Sequence, residues 1–308
     1  MALPPHLRDL AARVSNWGRW GADDRRGTLN LIDDAARRRA VAAVRQGRSF
    51  SLAMPFDEDG PQLGFIPGRI NPVRTMIAID EQMTGDPGDF TSSDDKVEMG
   101  IQSATHWDAL AHVSYDGLLY NGVPSSTIDE SGSAELGIDR FGAVMSRGVL
   151  LDVARALGVD HFDDGHAITG ADLDAAVALA GVRVEPGDIV CLRTGHMHWL
   201  RIGDKMHYAT TTPGPSTQSI EWFHDHDVAA VATDTLVFEV FPPEDPAVML
   251  PVHMIHLRDM GLVQGQNWAL DELAADCAAD GQYDFMLTAT PLPFTHALGG
   301  PVAPTAVK

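Results

Sequence analysis

Apolar positions in this chain gather in short blocks set apart by glycine, proline and charged residues. Three blocks are nearly continuous: Gly148-Val-Leu-Leu-Asp-Val153, Asp188-Ile-Val-Cys-Leu-Arg-Thr194 and Val228-Ala-Ala-Val-Ala-Thr-Asp234. Runs this short and without polar alternation predict strands covered on both faces. Tyr283-Asp-Phe-Met-Leu-Thr288 reads as a last strand. Helical patterns lie around and between them. One runs from Asp33 to Gln46 and stops near Gly47. Thr169 caps a second over Gly170 to Gly181, and Ser216 a third over Thr217 to His226. Pro251 to Met260 and Leu270 to Ala279 complete the set. Alternation of strands and helices through the second half predicts an α/β fold. Dense glycine and proline from Pro55 to Pro87 predict a long loop, and Asn16 to Asn30 an ordered one. No repeat, low-complexity tract or linker divides the chain. It reads as one domain over residues 1–308, with an N-terminal arm of about thirty residues.

Composition changes this picture little but excludes several functions. The 308 residues are 44% hydrophobic and 21% charged, an ordinary globular balance. Formal net charge is −21, from 22 basic and 43 acidic residues, so phosphate backbones are repelled and nucleic acid is not an expected partner. Cys191 and Cys277 do not make a disulfide framework, which fits a reducing cytoplasm. The opening Met-Ala-Leu-Pro-Pro-His has no basic region followed by an apolar run, so no export signal is expected. No apolar stretch approaches the roughly 18 residues of a membrane span, so no membrane partner is expected. No Gly-x-Gly-x-x-Gly follows a strand, and Gly299-Gly-Pro-Val lacks the lysine of a phosphate loop, so no nucleotide cofactor is expected. A serine hydrolase elbow, Gly-x-Ser-x-Gly, is also missing.

The chemistry concentrates in Gln102-Ser-Ala-Thr-His106-Trp-Asp108-Ala-Leu-Ala-His112. His106 and Asp108 are two apart, so on an extended segment they face the same side. Imidazole and carboxylate are the ligands that hold zinc or manganese. His112 follows four residues later, within reach of a water that such a metal would activate, and so is a candidate acid/base. Thr105 and Gln102 could orient that water or a ligand. Trp107, on the opposite side of the strand, is expected to pack. Other candidates flank the segment. Trp17 and Trp20 could line a flat aromatic substrate, and Arg69 and Arg74 around Asn71-Pro72 could hold a carboxylate. His196, with His198 and His207 beyond it, follows the strand ending at Thr194, where ligands of α/β folds often sit. His296 in the C-terminal Pro/Gly-rich loop could project into the site. His224, His226 and His256 read as packing or surface residues.

The segment resembles the motif His-x-Gly-Thr-His-x-Asp-x-Pro-x-His of the cyclase family that includes bacterial kynurenine formamidase and isatin hydrolase. The resemblance extends over most of the chain, through Asn16-Trp-Gly-Arg-Trp20, Tyr120-Asn-Gly122, Arg147-Gly-Val-Leu-Leu-Asp152, Pro186-Gly-Asp188, Arg193-Thr-Gly195, Val252-His253 and Pro291-Leu-Pro293. It implies a swivelling β/β/α domain in homodimers or homotetramers. It also implies a divalent metal, zinc or manganese, held by His106, Asp108 and a later histidine that matches His253. His112 matches the acid/base histidine. Two positions depart from the pattern. Gln102 stands in place of the first motif histidine, and Gln266 in place of a later glutamate. An amide is a weaker ligand than imidazole or carboxylate, so one metal is expected rather than two, with Gln266 as a ligand or a support beside it. The resemblance implies hydrolysis of an amide, lactam or lactone in a small, aromatic substrate. The alternative is a lyase or ring-closing enzyme that uses His112 with a weakened or absent metal.

Overall fold

The computed structural model describes residues 3–86 and 88–308. Nine strands form one mixed sheet: β1 (Ser49–Ser51), β4 (His106–Asp108), β5 (Met145–Asp152), β6 (Ile189–Arg193), β7 (Ala230–Thr233), β8 (Val263–Gln266), β9 (Asp284–Thr288), β10 (Gly299–Pro301) and β11 (Thr305–Val307). Their order is β1-β11-β9-β5-β6-β7-β8-β4-β10. The four central strands, β5, β6, β7 and β8, run parallel, and every other pairing within this sheet is antiparallel. β2 (Val73–Gln82) and β3 (Thr91–Glu98) form a separate antiparallel hairpin.

The continuous apolar blocks are explained by burial on both faces. Along β5, Leu150 joins one apolar cluster while Val149 and Leu151 join the other; Cys191 and Val190 divide in the same way on β6. Each buried aliphatic side chain of this kind stabilises the fold by about 1.5–3 kcal/mol relative to exposure. The second cluster is closed by the helices Pro5–Arg13 (α1), Gly170–Ala180 (α3) and Ile220–Asp225 (α4), through Leu7, Leu10, Leu173 and Phe223. α3 starts at a capping box in which Thr169 and Asp172 exchange side-chain and backbone hydrogen bonds, and Gly181 ends it in the left-handed conformation. Asp34–Ala42 (α2) and Asp271–Asp280 (α5) are also helical. α2 stops four residues short of the expected Gln46.

Three other expectations are corrected. The segment from Pro55 is not loop throughout, since Val73–Gln82 is a strand; the apolar run around Ile77 is masked in the sequence by glycine and proline on either side. Ser216 caps a single 3₁₀ turn, Thr217–Ser219, before α4 begins. Pro251 to Met260 is helical, but only Pro251–His253 is α; Met254–Met260 is a π-helix, ended by Gly261 at φ 62°. Cys191 and Cys277 are both buried and free. No helix among the described residues is long and apolar enough to cross a membrane.

Candidate active site

β4 is three residues long and fully buried. Trp107 points into the core, where its ring meets Trp268 edge-on at 4.8 Å and its Nε1 donates to the Ala289 carbonyl at 2.8 Å. Gly265 on β8 makes this packing possible, because a Cβ there would stand 2.8 Å from Trp107 and 2.7 Å from Trp268. With Trp107 turned one way, His106 and Asp108 face the other. Gln266 lies opposite His106 in the antiparallel register and therefore on the same face. After Asp108 the chain turns, with the His112 amide donating to the Ala109 carbonyl, and this brings His112 back toward Asp108. His253 arrives from the short helix that precedes the π-helix.

These side chains converge on one carboxylate. His106 Nε2 stands 3.4 Å and His112 Nε2 3.8 Å from Asp108 Oδ1. His253 Nε2 lies 3.9 Å from Oδ2, and the Gln266 amide donates to Oδ2 at 2.6 Å. Two of the histidines have their other nitrogen fixed. His106 Nδ1 donates to the Ala104 carbonyl at 2.7 Å, and His253 Nδ1 donates to Glu239 Oε1 at 2.6 Å. Both rings thus donate through Nδ1 and turn Nε2 toward Asp108, the arrangement in which an outer acceptor orients a ligating histidine. Glu239 is locked in turn by the backbone amides of Val252 and His253, at 2.9 and 2.7 Å.

The electrostatics follow from burial and these neighbours. Burial alone would raise the Asp108 carboxyl, but His112 and His106 outweigh it and hold the group well below the usual carboxylate range. Burial also lowers His112, with Asp108 only partly opposing. For His253, burial lowers the pKa but the Glu239 hydrogen bond and charge more than reverse it. His112 is the cluster's contact with solvent: its side chain is 22% exposed, while that of Asp108 is wholly buried.

The residues fit a metal by one direct observation: Asp108 Oδ1 is buried and has no hydrogen-bond partner among the described residues. An orphaned anionic oxygen in the interior is costly unless a cation meets it. In a tetrahedral site with bonds near 2.0–2.1 Å, ligand atoms stand about 3.3 Å apart, close to the 3.4 Å between His106 and Asp108. The other separations are longer, and among the described residues no three His, Cys, Asp or Glu side chains already stand as a finished metal site.

The remaining candidates divide. Arg69 is half-buried, makes no ion pair or side-chain hydrogen bond among the described residues, and lies near enough to Asp108, His112 and His253 for their charges to act on one another. Gln102 packs against Gly299, the partner of Asp108 on β10. Thr105 is kept from the role expected of it, because its hydroxyl donates to the Asn267 carbonyl at 2.5 Å and accepts from the Met54 amide at 2.9 Å. It staples β4 in place and has no proton left for a water. Arg74 is exposed on the hairpin, 3.5 Å from Asp95. Trp17 donates to the Arg258 carbonyl and lines a separate cavity of about 240 Å³ with Tyr115 and Arg258, and Trp20 packs under Arg19. His196 is buried against Tyr208, donating to its carbonyl at 3.1 Å, and burial pushes its pKa down to about 4. His296 sits on the loop beside Gly132 and Asp139. None of these last five meets the cluster. His256 is buried between Phe223 and Phe238. Sequence reasoning missed Glu239; the available signal was a single acid inside the apolar run Val237-Phe-Glu-Val-Phe241.

A family model described as "Putative cyclase" matches residues 50–240. A solved structure described as a novel cyclase is 38% identical and superposes with a TM-score of 0.85, covering 96% of this chain and 99% of that one. Isatin hydrolase A from Labrenzia aggregata, bound to benzyl benzoate, is 20% identical at a TM-score of 0.61, over 87% of this chain and 94% of that one. A predicted metal-dependent hydrolase from Bacillus stearothermophilus is 16% identical at 0.51, over 85% and 98%. At these identities the last two matches establish the fold. A search of curated proteins gives no match.

Proposed function

The chain belongs to the cyclase family, and we propose that within it the protein is a metal-dependent hydrolase that opens an amide, lactam or lactone bond in a small, aromatic molecule. The observation that carries the reading is the unpartnered, buried Oδ1 of Asp108, ringed by the Nε2 atoms of His106 and His112, with that of His253 on the carboxylate's other oxygen. His106, Asp108 and His253 would hold one divalent ion, zinc or manganese. When bound, it would polarise the scissile carbonyl and make water more acidic.

The chain's own residues supply the rest. His112 is neutral at pH 7 because burial lowers its pKa, so it can accept the proton of the attacking water. The water oxygen bonds to the carbonyl carbon, the carbon–nitrogen or carbon–oxygen bond breaks, and His112 returns the proton to the departing atom. Gln266 holds Asp108 by its other oxygen and so keeps Oδ1 presented. Arg69 is the group that would receive a carboxylate of the substrate or the one that hydrolysis creates.

A second reading, a lyase or ring-closing enzyme, is favoured by one observation. Gln266 spends its amide on Asp108 Oδ2, which occupies a carboxylate oxygen that a metal could otherwise share. The two readings separate in ¹⁸O-labelled water with lactams, lactones and N-acyl anilines as substrates. Hydrolysis places one labelled oxygen in the product carboxylate per turnover. Turnover without incorporated label would replace hydrolysis with the second reading.

A further inference from the structure

Asn267 is the first residue after β8, wholly buried, and it leaves the sheet at φ 59°. Asparagine is one of the few residues with a side chain that enter this left-handed region readily. The turn aims the Asn267 carbonyl at Thr105, whose hydroxyl donates to it at 2.5 Å. It also returns the side chain to the start of β4, where Nδ2 donates to the Ala104 carbonyl at 3.2 Å. That oxygen is the one that accepts from His106 Nδ1 at 2.7 Å. A carbonyl oxygen has two lone pairs, so these two donors fill it.

The other end of the amide is fixed as well. Asn267 Oδ1 accepts from the hydroxyl of Tyr208 at 2.8 Å, on the short helix Lys205–Thr210. The Ala104 carbonyl can only accept, so the amide nitrogen must face it and the amide oxygen must face Tyr208. Tyr208 and Ala104 are both buried, so bulk water does not compete for these bonds. A line of hydrogen bonds thus runs from Tyr208 through Asn267 and the Ala104 carbonyl to His106. His253 is oriented differently, by the Glu239 carboxylate, which two backbone amides lock. The carbonyl that orients His106 has no such charge. A second donor draws electron density away from it, so what Asn267 supplies is direction and not basicity.

We infer that Asn267 is a positioning residue for His106, acting through the Ala104 carbonyl, and that Tyr208 acts through Asn267. The inference rests on the proposal above that His106 is a metal ligand. With the amide in place, the carbonyl has one direction and the His106 ring keeps Nε2 turned toward Asp108. Without it, both are free to swing.

Asn267→Gly tests this with little else disturbed. Glycine adopts φ 59° freely and keeps the backbone carbonyl that Thr105 uses. The backbone N–H still donates to the Thr235 carbonyl at 2.9 Å, and Tyr208 keeps the Asp234 carbonyl, at 3.2 Å, as an acceptor. Competitive chelator titration with zinc should give an affinity about tenfold below wild type, the lower end of the range for groups that orient a ligand. Tyr208→Phe should weaken zinc in the same direction by a smaller factor. Added to Asn267→Gly it should do nothing further, since its path to His106 is already cut. Loaded to saturation with cobalt(II), the folded Asn267→Gly variant should show visible absorption bands shifted from wild type, a change that lost stability alone would not produce. Zinc affinity at or above wild type, or an unshifted cobalt spectrum, would overturn the role of Asn267. Additive losses in the double variant would overturn the line through Tyr208. A wild type that takes up neither metal would overturn the metal reading of the site and this inference with it.

Discussion

At the residue scale, Asp108 and His112 hold opposite positions in one cluster. Asp108 is sealed and its carboxyl is held well below the usual carboxylate range, whereas His112 touches solvent and burial lowers its pKa. A neutral base beside an anchored anion should matter for proton transfer and not for assembly. His112→Ala is therefore predicted to lower turnover by about a hundred- to ten-thousand-fold with metal content and melting temperature unchanged. Loss of metal together with activity would make His112 a ligand. His196 carries a different consequence. Its pKa is pushed from 6.5 to about 4 because it is buried against Tyr208. A depressed histidine contributes stability that is complete above about pH 6.5 and is lost as pH falls toward 4, because the unfolded chain takes up the proton first. Asp234, raised to about 6 by burial, acts with the opposite sign over nearly the same range, so the wild-type curve alone does not isolate His196. The stability of wild type relative to His196→Phe should fall by about 3 kcal/mol between pH 7 and pH 4 in chemical denaturation. An unchanged difference would show that the ring is protonated in the folded protein.

At the element scale, the candidate site depends on a three-residue strand and a short helix. His106, Asp108 and His112 were legible because two of them share one face of an extended segment and a single turn returns the third. Thr105 was readable as polar but not as already bonded on both sides. Its partners, Met54 and Asn267, come from distant segments that no local pattern links. Glu239 was invisible for the same reason, since its carboxylate reaches His253 only because the folded chain packs one against the other. Glu239→Gln retains the shape but removes the charge that fixes the His253 proton on Nδ1. It should weaken metal binding about ten- to a hundredfold, read by competitive chelator titration, with little change in melting temperature. Equal affinity would reduce Glu239 to a scaffold for the helix start. The hairpin shows the converse problem: glycine and proline flanking Val73–Gln82 read as loop, although the apolar residues between them form a strand.

At the scale of the whole molecule, the alternation of buried blocks and capped helices was enough to read an α/β fold, because each central strand must be covered on both faces. The strand order was not readable. β4 lies between β8 and β10, far from it in sequence, and only that placement brings Gln266 and Gly299 beside the segment from His106 to His112. The claim on which the account rests is that this assembly holds one divalent metal at His106, Asp108 and His253. Elemental analysis of the purified chain after mild dialysis, beside Asp108→Ala, tests it directly. The account predicts about one zinc or manganese per wild-type chain and almost none in the variant, since three good ligands with an open position suffice for a catalytic ion. Less than about a tenth of an equivalent in the wild type, with no gain when metal is added, would contradict it.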